Sequence, residues 1–317
     1  MTDDYYKNKN ILVTGGDGFI GSHLVEKLIH AAANTYVISQ FETLVNLDAA
    51  SDAVREIFVG DITNKNNLTA IQKRLGKVDV VFHLAADLSV TESITNPEKV
   101  RKTNVVGTEN MLAMAVQLGA KRFVYTSTST VYGWSVQPVC EDMPPSPRTP
   151  YAMTKLAGEK LCKTYANRYG LEITIPRLFN AYGERQRNDV LPSFIKKALH
   201  NEDIPLEGEG KQKRDFLHVD DITNALLIMG SHPLAKNEII NFGTGKNIKI
   251  SAVAEKIIKM SGSSSNLVHV APRKNDGSSV CDYAKAKLLL GWTPKIGLDR
   301  GLRRTIAWAK TDPHFKG

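Results

Sequence analysis

The sequence predicts an α/β protein built on a doubly wound parallel sheet, with a smaller α/β lobe supplied mainly by the second half of the chain. Three observations support this fold class. A glycine-rich turn joins the first predicted strand to the first helix, apolar strands alternate with helices through the first half, and small or hydroxyl-bearing residues follow several strands. Such alternation gives a parallel sheet whose ligand crevice lies at the carboxyl ends of the strands.

The glycine-rich turn directly follows the strand predicted at Ile11-Leu-Val-Thr14, and a helix with one apolar face begins at Phe19. Gly15, Gly18 and Gly21 are spaced through this turn. A strand that turns at once into a helix beside a pyrophosphate needs such residues, because a Cβ would hold the backbone away from the anion. The spacing G-x-x-G-x-x-G differs from the more common G-x-G-x-x-G, so a purely structural turn is the alternative.

The second strand, predicted over Thr35–Ser39, bears on the choice of cofactor. In a dinucleotide-binding fold an acidic residue usually follows this strand and holds the adenosine ribose hydroxyls. Here Ser39 and Gln40 occupy that position, and Glu42 lies beyond it. No carboxylate repels a 2′-phosphate and no arginine stands there to bind one. NAD is therefore the predicted cofactor, and NADP is the alternative.

The third and fourth strands end in residues that suit the same crevice. The third strand, Glu56–Asp61, ends in a carboxylate that can accept a hydrogen bond from the adenine amino group. The alternative is that Asp61 caps the helix beginning near Asn64. The fourth strand, Asp79–Ala86, is apolar throughout, as a strand buried on both faces should be. Its alanines lie where the cofactor backbone would pass.

A long helix is predicted from about residue 97 to 118, and it contains Asn104. The fifth strand begins at Arg122 and runs into a hydroxyl-rich turn over residues 126–130. This turn, the glycine turn, Asp61 and the alanines of the fourth strand all fall at the carboxyl edge of the predicted sheet. Their convergence favours a binding site at that edge.

A proline-rich loop ends at Pro150 and delivers Tyr151-Ala-Met-Thr-Lys155, which opens a helix predicted to continue to about Tyr169. Tyr151 and Lys155 are four residues apart and so project from one helix face. A free tyrosine has a pKa near ~10, and a neighbouring ammonium together with a positively charged nicotinamide should lower it by stabilising the phenolate. Tyr151 could then remove a proton from a sugar alcohol while Thr128 hydrogen-bonds the same oxygen. The alternative is an ordinary surface tyrosine and lysine.

The composition limits the function classes. The chain has 317 residues, 42% of them hydrophobic, no apolar run of membrane-spanning length and no apolar signal-peptide core at its N-terminus. A cytoplasmic protein without a membrane partner is expected. Its three scattered cysteines predict neither a disulfide framework nor a metal site. The formal charge is +8, but the basic residues form only short pairs, so we expect no nucleic-acid partner.

The second half has less regular alternation. Helices are predicted from about Pro192 to His200, from Ser251 to Met260 and over residues 297–308, with a glycine-rich turn over residues 207–210. We predict that residues 1–179 form a Rossmann domain that binds NAD. Residues 180–317 are predicted to form mainly a substrate-binding lobe, interleaved with returns to the main sheet.

Six ordered motifs resemble those of the extended short-chain dehydrogenase/reductases. They are T-G-G-D-G-F-I-G, H-L-A-A, S-T-S-T-V-Y-G, Y-A-M-T-K, R-L-F-N-A-Y-G and R-D-F-L-H-V-D-D. Within this family the sequence is most similar to the NAD-dependent nucleotide-sugar epimerases and dehydratases, and the UDP-glucose 4-epimerases have the nearest pattern. The resemblance runs from Ile11 to L-G-W-T-P at residues 290–294, nearly the whole chain.

The resemblance implies roles for particular residues. Thr128, Tyr151 and Lys155 match the catalytic triad, and Asn180, Arg214 and Arg273 match positions that bind the substrate, whose pyrophosphate they contact. It also implies a nucleoside-diphosphate sugar as substrate and a homodimer formed through the helices near 97–118 and 151–169. The predicted NAD contacts are Gly15, Gly18, Phe19, Ile20, Gly21, Asp61, Ile62, Leu84, Ala85, Ala86, Asn104, Tyr151 and Lys155.

Two departures from the family pattern narrow the activity. The 4,6-dehydratases carry Asp-Glu directly after the catalytic threonine, and the UDP-glucuronate decarboxylases usually carry a glutamate there. This chain has Ser129 and Thr130 instead, which favours a 4-epimerase. Small residues over 278–281, where the family gates the sugar C2 substituent, predict that N-acetylated UDP-hexoses are accepted. Another nucleotide-sugar oxidoreductase or dehydratase, or a non-catalytic NAD-binding sensor, are the alternatives.

Overall fold

A computed structural model of the chain describes residues 2–40, 45–271, 277 and 279–316. The strands are β1 (Asn10–Thr14), β2 (Asn34–Ser39), β3 (Glu56–Val59), β4 (Val80–His83), β5 (Arg122–Tyr125), β6 (Ser127–Thr128), β7 (Glu172–Leu178), β8 (Asn180–Tyr182), β9 (Ile204–Glu207), β10 (Lys213–Arg214), β11 (Phe216–His218), β12 (Ile239–Phe242), β13 (Ile248–Lys249) and β14 (Leu267–Val270). The α-helices are α1 (Thr2–Tyr6), α2 (Phe19–His30), α3 (Lys65–Leu75), α4 (Val90–Thr95), α5 (Pro97–Arg101), α6 (Thr108–Gln117), α7 (Pro150–Tyr169), α8 (Val190–Leu199), α9 (Val219–Ser231), α10 (Ile250–Ser261), α11 (Ala284–Leu290) and α12 (Leu298–Ala309).

The main sheet has the strand order β12-β7-β5-β4-β1-β2-β3, with β6 paired to β7 beside the end of β5. Each of these pairs is parallel. The order reverses at β1, so a crevice opens between the carboxyl ends of β1 and β4, where such sheets bind their ligands. The predicted doubly wound parallel sheet is confirmed.

Two helical layers cover this sheet, and β1 shows how the sequence encodes them. Ile11 and Val13 pack into the core on the face of α2 and α9, whereas Leu12 packs into the core under α3, α6 and α7. Successive strand residues point to opposite faces, so a strand covered on both sides must be apolar at every position. This accounts for the uninterrupted apolar runs of β1 and β4.

The long helix predicted over 97–118 is three consecutive pieces. Helix α5 ends at Arg101, a π-helical turn spans Lys102–Gly107, and α6 follows. A Cβ at residue 107 would lie 2.6 Å from the Ile62 side chain, so the turn packs closely against the chain after β3. Asn104 lies inside this π-turn, a feature that often marks functional sites.

The second half contributes both a lobe and part of the main sheet. In the lobe, β8 pairs with β11, β9 with β14, and β10 with β13, while α8, α10 and α12 enclose a separate apolar core. Strand β12 leaves this lobe and pairs with β7. Helix α8 begins at Val190, two residues before its predicted start, because the Asp189 carboxylate accepts the Val190 N–H. Within the described residues, no helix combines the length and apolar character needed to cross a membrane.

Candidate active site

The glycine turn leaves room for a ligand backbone at the β1–β4 crevice. Gly15 has a φ of +69°, and a Cβ there would lie 2.9 Å from the Ala85 nitrogen. A Cβ on Gly21 would collide with the Gly15 carbonyl. Gly18 is the N-cap of α2, and no side chain caps this helix end. The first-turn N–H groups thus have no side-chain acceptor, which fits the pyrophosphate of a dinucleotide.

The other residues predicted for this part of the cofactor site line the same crevice. Phe19 and Ile20 are partly exposed in the first turn of α2. Leu84, Ala85 and Ala86 are partly exposed directly after β4. The structure therefore brings the glycine turn and the chain after β4 together, as the sequence predicts for strands that end at one edge.

Asp61 lies at the far end of the crevice, beyond β3. Its carboxylate accepts hydrogen bonds of 2.8 Å from both the backbone N–H and the hydroxyl of Thr63. Asn64, rather than Asp61, caps α3, so the capping alternative for Asp61 is wrong. A cavity of about 350 Å³ opens between Asp61 and Lys102, and Ile62 is buried beside it. A contact between Asp61 and adenine remains a prediction.

A buried hydrogen-bond chain that the sequence did not reveal crosses beneath the crevice. The Ala85 N–H donates to the Thr14 hydroxyl (3.2 Å), which lies 2.8 Å from His83 Nδ1. His83 Nε2 lies 3.0 Å from the Thr108 hydroxyl, which donates to the Asn104 carbonyl. The Thr108 hydroxyl donates its proton to the Asn104 carbonyl, so it can only accept a hydrogen bond from His83. Nε2 of His83 is therefore the protonated ring nitrogen. Burial lowers the pKa of His83 to about 3, so its ring stays neutral.

The hydrogen-bond chain continues through the Asn104 side chain to α7, the helix that carries Tyr151 and Lys155. The Asn104 amide oxygen accepts the Asp87 N–H at 2.8 Å, and its nitrogen donates to the Asp87 carbonyl and to the Thr154 hydroxyl. Thr154 in turn donates to the carbonyl of Tyr151 at 2.7 Å. Asn104 thus ties the chain after β4 to α7. Its predicted direct contact with the cofactor remains a prediction.

Tyr151 and Thr128 meet where α7 begins beside the end of β6. Only 9% of Tyr151 is exposed. Burial raises the pKa of Tyr151 to about 12, although a hydrogen bond with Thr128 opposes the rise. In the protein without its cofactor, removing the phenolate from water outweighs the favourable neighbours, so Lys155 alone does not lower this pKa. The combined lowering by Lys155 and the nicotinamide remains a prediction.

Lys155 is buried on the same face of α7, with 5% of it exposed. Its ammonium lies 4.5 Å from the centre of the Tyr125 ring, whose hydroxyl donates to the Lys155 carbonyl at 3.2 Å. A Cβ on Gly158 would collide with that hydroxyl. Burial lowers the pKa of Lys155 to about 8, while Cys162 and Glu159 act in the opposite direction.

A buried ion pair fixes α7 to the strands beneath it. Glu159 accepts from Arg177 Nε at 2.9 Å and Nη2 at 2.6 Å, and also from the Ser127 hydroxyl at 2.6 Å. Ser127 directly precedes Thr128, so this pair positions the end of β6 against α7. The sequence analysis missed Glu159, yet its position four residues after Lys155 on one helix face was a usable signal.

The predicted substrate residues lie on the lobe side of the crevice. The Asn180 amide donates to the Asp215 carbonyl at 3.0 Å, and Arg214 Nη1 donates to the Gly277 carbonyl at 3.0 Å. Arg273 lies outside the described residues, as do Glu42 and Ser278. A cavity of about 760 Å³ opens here, lined by Trp134, Ser135, Val136, Gly208, Glu209, Lys211, Gln212, Lys213, Asn247 and Gly277.

The segment predicted to gate the sugar C2 substituent is held against the loop that follows β6. Val139 donates to the Val280 carbonyl at 2.8 Å and forms an isolated parallel bridge with Cys281. Ser279 and Val280 are half-buried, whereas Cys281 is buried. The described part of this segment thus carries only small side chains. Cys140, Cys162 and Cys281 are all free thiols.

Comparison with known proteins decides the family. The sequence profile of the NAD dependent epimerase/dehydratase family matches residues 11–243. The chain belongs to this family. The matched stretch contains the glycine turn, the Thr128–Tyr151–Lys155 group, Asn180 and Arg214, and NAD is the cofactor of the family.

Individual relatives cover nearly the whole chain and differ in activity. A crystal structure of UDP-glucose 4-epimerase with UDP-glucose from Thermotoga maritima has a TM-score of 0.90 and 33% identity, covering 95% of this chain and 99% of that one. A UDP-glucuronic acid 4-epimerase from Bacillus cereus, solved with UDP-glucuronic acid and NAD, has a TM-score of 0.88 and 30% identity, covering 95% and 99%. UDP-glucuronic acid decarboxylase 1 of Xenopus tropicalis is 33% identical over 314 residues, 96% of this chain and 73% of the relative.

Proposed function

We propose that this protein is a nucleotide-sugar 4-epimerase that interconverts UDP-glucose and UDP-galactose through a transient 4-keto sugar. We also propose that it accepts the N-acetylated UDP-hexoses. The observation that carries the proposal is the hydrogen bond between Thr128 and Tyr151 at the carboxyl edge of the sheet, with Lys155 buried one helical turn further along α7 and no carboxylate at residues 129 and 130. The glycine turn across the crevice provides the place for the dinucleotide.

Each member of the group has a defined task. Bound NAD supplies the acceptor and then the donor of the C4 hydride. As a phenolate, Tyr151 accepts the proton of the C4 hydroxyl, and as a neutral hydroxyl it later returns that proton, because it is the buried titratable group that contacts Thr128. Thr128 donates to the same sugar oxygen. The positive charge of Lys155, together with that of the nicotinamide of bound NAD, would stabilise this phenolate against the burial that raises the pKa of Tyr151.

Inversion requires that the keto sugar turn over within the site and be reduced on its other face. This process needs no further acid or base. A dehydratase must also eliminate water, and the chain offers only hydroxyls for that task, with Thr130 Oγ1 lying 3.2 Å from Thr128 Oγ1. Neither Ser129 nor Thr130 ionises near neutral pH, so the pair favours epimerisation over elimination.

The substrate side is proposed to hold the pyrophosphate through Asn180, Arg214 and Arg273. An arginine fork suits a phosphate because it donates two parallel hydrogen bonds. Lys213 lines the adjoining cavity and adds positive charge there, whereas the charge of Lys211 is offset by its ion pair with Glu209. A homodimer formed through the helical stretches 97–118 and 151–169 completes the proposal and rests on the family resemblance.

The deciding experiment incubates the purified protein with UDP-glucose, UDP-galactose, both N-acetyl counterparts and UDP-glucuronic acid, without added reductant. The products are separated by anion-exchange chromatography, and absorbance at the NADH band is followed. Interconversion at C4 without net NADH establishes the epimerase, and the active substrates define the C2 and C6 groups accepted. The Tyr151→Phe protein is the negative control, since it should bind NAD without converting the substrates.

Other outcomes would redirect the proposal. Turnover of UDP-glucuronic acid alone would replace the neutral hexoses with a uronic acid as substrate. Stoichiometric NADH would indicate a net oxidoreductase, and loss of water or carbon dioxide from the sugar would indicate a dehydratase or decarboxylase. Tight binding of NAD and UDP-sugars without any conversion would favour a non-catalytic sensor.

A further inference from the structure

Asp215 is a buried carboxylate that the proposed reaction does not use. It lies between β10 and β11, is 0% exposed, and follows Arg214 directly. Its Oδ1 accepts from the backbone N–H of Thr244 at 2.8 Å and from the Thr244 hydroxyl at 2.5 Å. Its Oδ2 accepts from the N–H groups of Gly245 at 2.9 Å and Cys281 at 3.1 Å. One carboxylate therefore gathers four hydrogen bonds from two separate segments.

The backbone of Asp215 holds a third segment. Its carbonyl accepts the Asn180 side-chain amide at 3.0 Å, and the pairing of β8 with β11 places Asn180 opposite Phe216. The neighbouring Arg214 is thereby fixed relative to Asn180. Two of the three segments that meet at Asp215 carry residues with a proposed substrate role: Asn180 and the Cys281 segment, which we define as residues 279–281. Arg214, which directly precedes Asp215, also has such a role.

The packing beside this carboxylate leaves no space for a side chain at residue 243. A Cβ on Gly243 would lie 3.0 Å from Asp215 Oδ2 and would collide with the Cys281 side chain. Strand β12 ends at Phe242, so the Thr244–Gly245 turn that binds Asp215 continues directly from the main sheet. Through Asp215 the carboxyl end of the main sheet is thus connected to the lobe residues that face the substrate.

We propose that Asp215 is a positioning residue that sets Asn180, Arg214 and the Cys281 segment in one arrangement before the nucleotide sugar binds. It does not touch substrate. A preorganised binding site holds its ligand more tightly because fewer of its groups have to be ordered when the ligand binds. Loss of the carboxylate should therefore weaken nucleotide binding and loosen the Cys281 segment, while the NAD crevice on the other side of the sheet edge stays intact. This inference rests on the proposed function of the lobe.

The chain offers a matched control in Asp221. This carboxylate is also buried, at 1% exposed, and accepts backbone N–H groups from Lys295 at 3.0 Å and Ile296 at 2.8 Å. Both residues belong to the segment before α12, away from the substrate residues. Asp215→Asn and Asp221→Asn each place an amide where backbone donors need an acceptor. Both should lower stability to a similar extent, but only Asp215→Asn should alter the substrate side.

The first readout is binding of UDP, measured by calorimetry on the NAD-loaded protein. We expect Asp215→Asn to bind UDP at least tenfold more weakly than wild type, and Asp221→Asn to bind it within twofold of wild type. NAD affinity should be the same in all three proteins. With an active substrate, Asp215→Asn should raise KM far more than it lowers kcat. Equal UDP affinity in both variants would overturn the proposal.

The second readout does not depend on any ligand. In a Cys140→Ser background, Cys281 and the fully buried Cys162 are the remaining thiols, and mass spectrometry assigns the site of labelling by a thiol reagent. We expect Asp215→Asn to speed labelling of Cys281 at least tenfold and Asp221→Asn to leave its rate unchanged. Unchanged labelling in Asp215→Asn would refute the positioning role.

The two readouts separate the inference from the proposed function. If wild type fails to bind UDP but labelling of Cys281 responds as expected, the nucleotide assignment is wrong and the positioning role stands. If Asp215→Asn fails to fold, Thr244→Val serves instead, because it keeps the carboxylate and removes the 2.5 Å hydroxyl bond to it, together with the 3.3 Å bond that the hydroxyl accepts from the Lys246 N–H. We expect Thr244→Val to bind UDP about threefold more weakly and to have Cys281 labelled about threefold faster than wild type. Values equal to those of wild type would count against the proposal.

Discussion

The ammonium of Lys155 lies 4.5 Å from the centre of the Tyr125 ring, and both side chains are buried. The aromatic face offsets part of the free energy lost when the charge leaves water. The rest of that loss appears as a pKa lowered to about 8. The active site therefore holds a group that destabilises the folded protein at neutral pH.

This relationship predicts that Lys155→Met stabilises the protein while abolishing turnover. A fall in pKa from 10.5 to about 8 corresponds to about 3 kcal/mol. Because this shift is what remains after the attraction to the Tyr125 ring, the expected gain on removing the charge is about 3 kcal/mol at pH 7. Urea unfolding of both proteins measures it. A less stable Lys155→Met protein would show that the charge is not desolvated as the structure indicates.

The gain in the free energy of unfolding expected for Lys155→Met should depend on pH. Between pH 8 and 10.5 the unfolded chain holds more protons at Lys155 than the folded one, so wild-type stability rises with pH through this window. The advantage of Lys155→Met should therefore be full below pH 8 and shrink towards pH 10. A difference between the two proteins that stays constant from pH 7 to 10 would contradict the lowered pKa.

Tyr151→Phe should reduce kcat by a factor of about 10³ or more, because it removes the proton-accepting hydroxyl and nothing else. NAD affinity should be unchanged. Tyr6→Phe is the matched control, since its buried hydroxyl donates to the Leu227 carbonyl at 2.6 Å, remote from the site. That variant should lose about 1 kcal/mol of stability and keep full activity. Substantial turnover by Tyr151→Phe would refute the assigned role.

Gly15→Ala should prevent NAD binding, and Gly119→Ala provides the comparison. Both glycines have positive φ, +69° and +64°, so both substitutions introduce similar backbone strain. Only at residue 15 does the added Cβ meet other atoms, 2.9 Å from the Ala85 nitrogen. Fluorescence titration should show a large loss of NAD affinity for Gly15→Ala and none for Gly119→Ala. Equal affinities would place the dinucleotide elsewhere.

Asp61→Ala and Asn64→Ala should have opposite consequences, although the two residues are neighbours. Asp61→Ala should weaken NAD binding several-fold through loss of the adenine acceptor, with little change in stability. Asn64→Ala should leave NAD affinity unchanged and lower stability by about 1 kcal/mol, because Asn64 caps α3. NAD titration and thermal unfolding of both variants distinguish the roles. Unaltered NAD affinity in Asp61→Ala would remove it from the cofactor site.

Much of the fold followed from the sequence because the relevant signals are local. The glycine turn fixes the junction of β1 and α2, and the helix that begins at Pro150 places Tyr151 and Lys155 on one face. What escaped prediction depends on contacts distant in sequence. His83 of β4 joins Thr14 of β1 to Thr108 of α6, and no periodicity in the sequence reports such a connection between two strands and a helix.

The candidate site shows the same difference between what local sequence signals predict and what long-range contacts determine. The residue types suited to the chemistry could be located by motif, but their electrostatics could not. The direction of the Tyr151 pKa depends on how completely α7 and β6 exclude water, and that is a property of the packed structure. Asp215 lay within a quoted motif, yet its importance comes from bonding to residues 180, 244, 245 and 281 together.

The position of β12 has a consequence for folding during translation. Strand β7 pairs on one side with β5 and β6, and its other edge is completed only by β12. The intervening lobe segments leave the ribosome between them, at about 5–20 residues per second. For several seconds the nascent chain carries an open parallel edge, which invites pairing with another chain. A chaperone that recognises extended apolar segments would find its target at β7 during that interval.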